Sequence, residues 1–382
     1  MNLIVLVLPS VCAVLSAQAS RPRLASAVAP STPTAQVETL PNPRRSATEL
    51  HDQFIESIDE NQRSAALEAL ASNPPATTRD VQSLFDLFMR FPQAKVRDAV
   101  LASIRLLDPA SSGLESAFIE YLKLPENEAK FFGIDGALRL RSLRALPLIT
   151  EIAQRRFSVK SPGEAPILSD KNEWWTQYEA LSALAQWQGP QALPLLRRKT
   201  DEAPAVARLM ALYLWKESLP DIVKWAGAGA ADSEKAQTAL AVDIPLPALR
   251  ATRAEMLRLV LDRRSDRELR HQLAIKVGFA STPEEVDALL TQMQSARDTE
   301  TKLMLSAALF ASRSPRTIPW LKQLLTDAPD PKTRIGALTQ LRLLIPAAKH
   351  RPLAESFAAH DPDQENRELA AEMLKLSSNN SQ

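Results

Sequence analysis

Four histidines, His51, His271, His350 and His360, are the first residues to weigh for metal or general-base chemistry. No two stand four apart as on a helical metal site, and none has a Cys or Asp cluster at ligand spacing. The pattern predicts surface histidines and no metal. Glu284, Glu285 and Asp287 follow Thr282-Pro283, where a helix N-terminus favours negative charge, so they read as capping rather than catalytic carboxylates. The chain holds no G-x-S-x-G, P-loop or dinucleotide fingerprint. Its single cysteine, Cys12, lies in an apolar N-terminal run, which leaves no disulfide framework and no thiol nucleophile beyond it. No cofactor is expected.

Two groups of residues are better suited to binding than to catalysis. Trp174-Trp175 stand at the end of a stretch without helical periodicity, and tryptophan is enriched where proteins grip a partner. The competing reading packs Trp174, Tyr178 and Leu181 on one helical face in the core, with Trp175 over the base of a loop. Basic clusters recur at Arg155-Arg156, Arg197-Arg198-Lys199 and Arg263-Arg264, the last followed by Arg267 and Arg270. Aligned along one edge they suit a polyanion; singly they suit helix C-termini, with Asp201, Glu202, Asp262 and Asp266 offsetting the charge.

The elements that must carry these residues are helices. Of 382 residues 45% are apolar, enough for a large core, while 46 Lys+Arg against 45 Asp+Glu give no bulk electrostatic case for nucleic acid or an anionic membrane. Nine glycines and 28 prolines disfavour a hairpin-rich fold and suit helices that start at proline. The chain repeats itself: counting from Arg63, Gln177 and Arg334, a polar anchor is followed by small or apolar residues at +3, +4 and +7, one face of a helix. Arg97, Lys130, Arg270, Lys302 and Arg367 fit the same template, and Ala207 and Gln237 fit it less well. Successive anchors lie 34, 33, 47, 30, 30, 33, 32, 32 and 33 residues apart. Seventeen residues after Lys130, Gln177 and Lys302 come Pro147, Pro194 and Pro319, each of which opens a second helix; Pro352 falls at eighteen after Arg334.

The two-helix unit, its basic anchor and the Leu-Pro-x-Leu opening of the second helix resemble HEAT repeats of the short type, over residues 48–376. The resemblance implies an all-α, right-handed α-solenoid of about ten helix-turn-helix units sharing one continuous core. Such repeats serve scaffolds, transport receptors, chromophore lyases and some DNA glycosylases. Residues 226–262, with Gly227–Ala231 small and Pro245 near Pro247, depart from the pattern and blur the repeat boundaries. The long 47-residue interval marks a loop insertion at 157–173, on an edge where repeat proteins often bind.

Residues 3–17 are apolar and end in Ala17-Gln18-Ala19, which reads as a secretory signal over 1–19, too short and too interrupted by Pro9 for a membrane span. Residues 20–47 read as an Ala/Pro/Ser/Thr-rich linker and 377–382 as a disordered tail. The expectation is an exported, non-enzymatic scaffold, periplasmic in a Gram-negative cell, that binds a protein partner. Two alternatives stay open: an enzyme of the lyase or glycosylase kind, and a polyanion-binding module.

Overall fold

The residues at +3, +4 and +7 from Arg63, Lys130, Gln177, Arg270 and Arg334 are buried, and every one of these anchors lies in a helix. The computed structural model describes residues 45–164 and 168–379; among them all regular structure is helical and there is no strand. The signal segment and nearly all of the linker lie outside the described residues.

The chain divides into two compact units. The first, which runs as far as Ile222 and takes in Ala230–Val242, holds α1 (Ala47–Glu56), α2 (Glu60–Ala71), α3 (Thr78–Arg90), α4 (Ala94–Arg105), α5 (Glu115–Lys123) and α6 (Asn127–Leu140). It continues through α7 (Leu146–Gln154), α8 (Leu168–Gln188), α9 (Leu193–Glu202) and α10 (Ala207–Tyr213); α11 (Trp215–Ala226) spans the division, and α12 (Ala230–Leu240) returns to the first unit. The second holds α13 (Leu246–Leu261), α14 (Arg267–Ala280), α15 (Pro283–Ser295), α16 (Thr299–Ser312), α17 (Ile318–Asp327), α18 (Pro331–Leu344), α19 (Ala347–His360) and α20 (Gln364–Asn379). In both units consecutive helices pack as pairs, and the anchor helices also pack on one another: α2, α4, α6, α8, α10 and α12 in succession, and α14 on α16. A helix pair cannot bury its stripe alone, so this stacking is what closes the core.

The anchors hold each pair in register. A helix ends with carbonyls that lack intrahelical donors. Arg63 Nε donates to Ser57 O (2.8 Å), Lys130 Nζ to Pro125 O (2.8 Å), Arg270 Nε to Val260 O (2.8 Å), Arg334 Nη1 to Ala328 O (2.9 Å) and Arg367 Nη1 to Asp361 O (2.7 Å). Each acceptor belongs to the last turn of the preceding helix or the residues just after it. A cation there satisfies an orphan carbonyl and the helix dipole at once. Gln177 occupies the anchor place in α8 without a charge, and Lys199 of α9 supplies the missing cation by donating to Arg155 O.

Pro147, Pro194 and Pro319 sit in the first turns of α7, α9 and α17, as their spacing predicts. All three units share a left-handed residue just before: Arg141 (φ 53°), Gly189 (φ 55°) and Arg313 (φ 49°). The tight turn lets the helix reverse within a few residues, and an arginine there carries a steric cost that glycine avoids.

Four expectations need correction. Pro352 does not open a helix: Pro346 caps α19, which starts at Ala347 and carries Pro352 inside it. The insertion is a shorter loop, since α8 begins at Leu168 and takes in residues 168–173; 165–167 lie outside the described residues. The tail is helical as far as Asn379, beyond which nothing is described. Two histidines are buried rather than superficial, His271 in α14 and His350 in α19, where His350 Nε2 lies 3.3 Å from Leu338 O. Both fall on the side of an amphipathic helix that meets its neighbours, and burial holds both rings below the usual imidazole range. In the 226–262 stretch, α12 and α13 are both formed, with Gly227–Gly229 in the turn before α12.

Candidate functional site

Of the residues the sequence singles out, Trp174 is 2% exposed and stacks on Tyr178 at 5.1 Å, with Phe157 5.5 Å away. It is a core residue at the root of the insertion. Burial, partly offset by Arg208, pushes the Tyr178 hydroxyl up to about 12. Trp175 packs edge-on against Trp174 and Tyr178 and leaves 44% of its surface exposed. Lys199 is 1% exposed, with its ammonium on Arg155 O and on Glu202 Oε2 at 2.8 Å. It is spent inside the fold, so of its cluster only Arg197 and Arg198 face solvent. Arg197 pairs with Asp221 (2.9 Å), Arg155 with Glu151 (3.2 Å), Arg263 with Asp298 (2.6 Å) and Arg264 with Asp262 (3.1 Å); Arg156 is exposed. Local acids thus offset most of this charge, and Arg263-Arg264 belong to the second unit while the other two clusters belong to the first.

The structure draws attention to a place the sequence does not mark. In the first unit, α4, α6, α8 and α10 leave a cleft of about 700 Å³ between their C-terminal halves. Asp135 and Glu179 stand in it with Leu138, Trp187 and Tyr213, and Arg105, Arg139 and Arg141 are also on its lining. Repeat geometry explains the convergence. Asp135 and Arg139 lie five and nine residues after Lys130; Ser182 and Gln186 lie five and nine after Gln177. Equivalent positions of stacked helices come to the same side. Gly136, next to Asp135, lets α6 lie close on α5: a Cβ there would stand 2.1 Å from the Phe118 ring.

The floor is acidic and its charge is poorly compensated. The Asp135 side chain is 10% exposed, its Oδ2 has no hydrogen-bond partner, and Arg105 Nε stands 4.0 Å from Oδ1, beyond hydrogen-bond reach. Burial, only partly countered by Arg105, pushes the Asp135 carboxyl up to about 6. Burial together with the Asp135 charge pushes Glu179 up to about 7, again against Arg105. The two titrate as a pair around neutral pH. The exposed arginines are otherwise placed: Arg139 Nε donates to Leu107 O at 2.8 Å, and Arg105 keeps 67% of its side chain in solvent. Tyr213 Oη lies 3.2 Å from Gln186 Nε2 and 3.3 Å from Ser182 Oγ, which fixes one wall.

Such a site can accept hydrogen bonds from a cation or hold a proton that it exchanges near pH 7. Among the described residues no group of three or more His, Cys, Asp or Glu side chains could hold a metal ion. Comparison of the chain with models of known protein families and with curated proteins finds no match.

Proposed function

We propose that this chain is an exported HEAT-type scaffold, wound right-handed from about ten two-helix units, that holds a protein partner on the side where its anchor helices meet. The observation that carries the reading is the cleft between α4, α6, α8 and α10, a concave site of about 700 Å³ to which four successive anchor helices contribute. The recurring anchor-to-carbonyl bond supports the repeat assignment. The apolar run ending Ala17-Gln18-Ala19 supports export. A photo-crosslinking amino acid at Trp187 should capture a reproducible protein partner in cells, whereas the same group at the exposed Lys123 on α5 should not. Equal or absent capture at the two positions overturns the reading. N-terminal sequencing of the mature protein should begin at Ser20.

One second reading has an observation in its favour. Asp135 and Glu179 titrate near neutral pH, as a general acid–base pair must, so an enzyme acting in the cleft is the alternative. It would be established by a turnover that both Asp135→Asn and Glu179→Gln abolish.

A further inference from the structure

We infer that the Asp135–Glu179 floor is a receptor for one cationic side chain, a lysine ammonium or an arginine guanidinium, presented by the bound protein partner. The inference deepens the scaffold reading and rests on it.

Each kind of occupant would leave the floor in a different state. Asp135 Oδ2 is already closed off from water without a donor, and an apolar group would take the rest of that carboxyl out of water as well, a costly outcome for a buried polar group. An anion would meet two carboxyls on the floor. A neutral hydroxyl or amide would satisfy a lone pair and leave the charge uncompensated. An ammonium or guanidinium supplies both the donor and the charge.

The protein's own cations do not fill this role in the structure. Arg105 from α4 approaches only to 4.0 Å and stays largely in solvent. Arg139 from α6 is bonded to Leu107 O, and Arg141 sits in the left-handed turn after α6. From α8 the floor receives Glu179 itself and from α10 Tyr213, while Arg208 of α10 acts on Tyr178 and is not on the lining. Trp187 and Tyr213 offer aromatic surface to the aliphatic stem of a long basic side chain and to its charge. The exposed Arg141 at the cleft is placed for an acidic or carbonyl group flanking the inserted residue, which argues for a peptide rather than a bare cation.

Arg105 is then a competitor as well as a neighbour. Its flexible side chain partly compensates Asp135, so a ligand cation must displace that influence. Removing it should tighten binding.

Protonation supplies an independent readout. A cation on the floor favours the charged carboxyls, so its binding must expel protons where Asp135 and Glu179 are partly protonated. The test is calorimetric titration of the full-length mature protein with acetyl-Gly-Lys-Gly-amide, in two buffers of different ionisation enthalpy at pH 6.5. The lysine peptide should bind with net proton release, and a norleucine peptide of the same length should bind at least tenfold more weakly. Affinity for the lysine peptide should fall on the order of tenfold or more from pH 8 to pH 5.5, as the floor takes up protons. Glu179→Gln should weaken binding about tenfold and reduce proton release, and Arg105→Met should strengthen it. The pH series on unmodified protein decides the matter if a variant fails to fold.

The inference is overturned by equal binding of the norleucine peptide, by binding without proton release, or by no binding at all. Tighter binding of cadaverine than of the peptide would overturn the protein-side-chain assignment in favour of a free amine. Crosslinking from Trp187 without lysine-peptide binding leaves the scaffold reading standing and removes this one; lysine-peptide binding without any protein adduct removes the scaffold reading and, with it, the assignment of the cation to a protein partner.

Discussion

Two buried aspartates, one in each unit, show how the same repeat chemistry yields opposite outcomes. Asp361, just after α19, is 1% exposed at its side chain and takes two bonds from Arg334, at 2.7 and 2.9 Å. Asn366 Nδ2 and the Asp363 backbone N–H add further donors. Burial alone would raise its carboxyl, but Arg334 and these donors outweigh burial and hold it below the ordinary range. Asp135, in α6, has the burial without the partners, and its carboxyl goes up to about 6. The difference is reach. In α18 the anchor arginine spans from the carbonyls of α17 to Asp361, so one fork serves both. In α6 the anchor Lys130 is used up on Pro125 O and Asp135 points to the cleft instead. A buried acid with a complete set of donors fastens the fold; one without them is held ready for something else.

Breaking the well-served aspartate should give the largest effect. Arg334→Met leaves Asp361 buried without its cation, and denaturant unfolding should show a loss of about 3–5 kcal/mol; a loss under about 1 kcal/mol would mean the fork is not what holds α17, α18 and the start of α20 together. The reverse change at the other site should stabilise. Asp135→Asn removes a charge that folding currently desolvates, and should raise stability at pH 8 by on the order of 2–3 kcal/mol, with no gain at pH 4.

The two units should also part company along the pH axis. Asp135 and Glu179 have folded values above their unfolded ones, so their contribution is present below about pH 4 and is lost as pH rises through about 6 and about 7. Asp361 is lowered, so its contribution is present above about pH 4 and is lost only as pH falls beneath that. Hydrogen exchange resolved by helix should show α6 and α8 protected less at pH 8 than at pH 5, while α18 keeps its protection. Equal trends in both would dissolve the distinction. The smallest effect belongs to the turns. Arg313→Gly should stabilise by no more than about 1 kcal/mol, since glycine accepts the left-handed φ, and Arg141→Gly should match it while also weakening whatever the cleft binds.

The helical pairing was legible because it rests on local spacing. Arg63-x-x-Ala66-Leu67-x-x-Leu70 states its buried face outright, and Pro147, Pro194 and Pro319 mark helix starts by a rule that needs no tertiary information. The anchors were visible as a pattern, but their bond to a carbonyl of the preceding helix needs the pair to be folded. The cleft was not legible. Asp135 sits in FFGIDGALRL as a single acid among apolar residues, a faint mark, and Glu179 is one of many helix-surface glutamates. They are 44 residues apart and stand at different places in their repeats, five residues after Lys130 and two after Gln177, so aligning the repeats does not pair them. Lys199 misled for the opposite reason: a run of three basic residues looks like surface charge, yet the third turns inward because Gln177 leaves a helix end without a cation.

The anchor bond has a consequence for how such a chain changes length over time. The donor sits in the first helix of one two-helix unit and the acceptor at the end of the second helix of the unit before, so tandem gene duplication of a whole unit, about thirty-odd residues long, restores the bond at the new joint. A duplication whose length is not a whole number of units strands an anchor from its carbonyl. Descendants of this chain should therefore grow and shrink in complete steps.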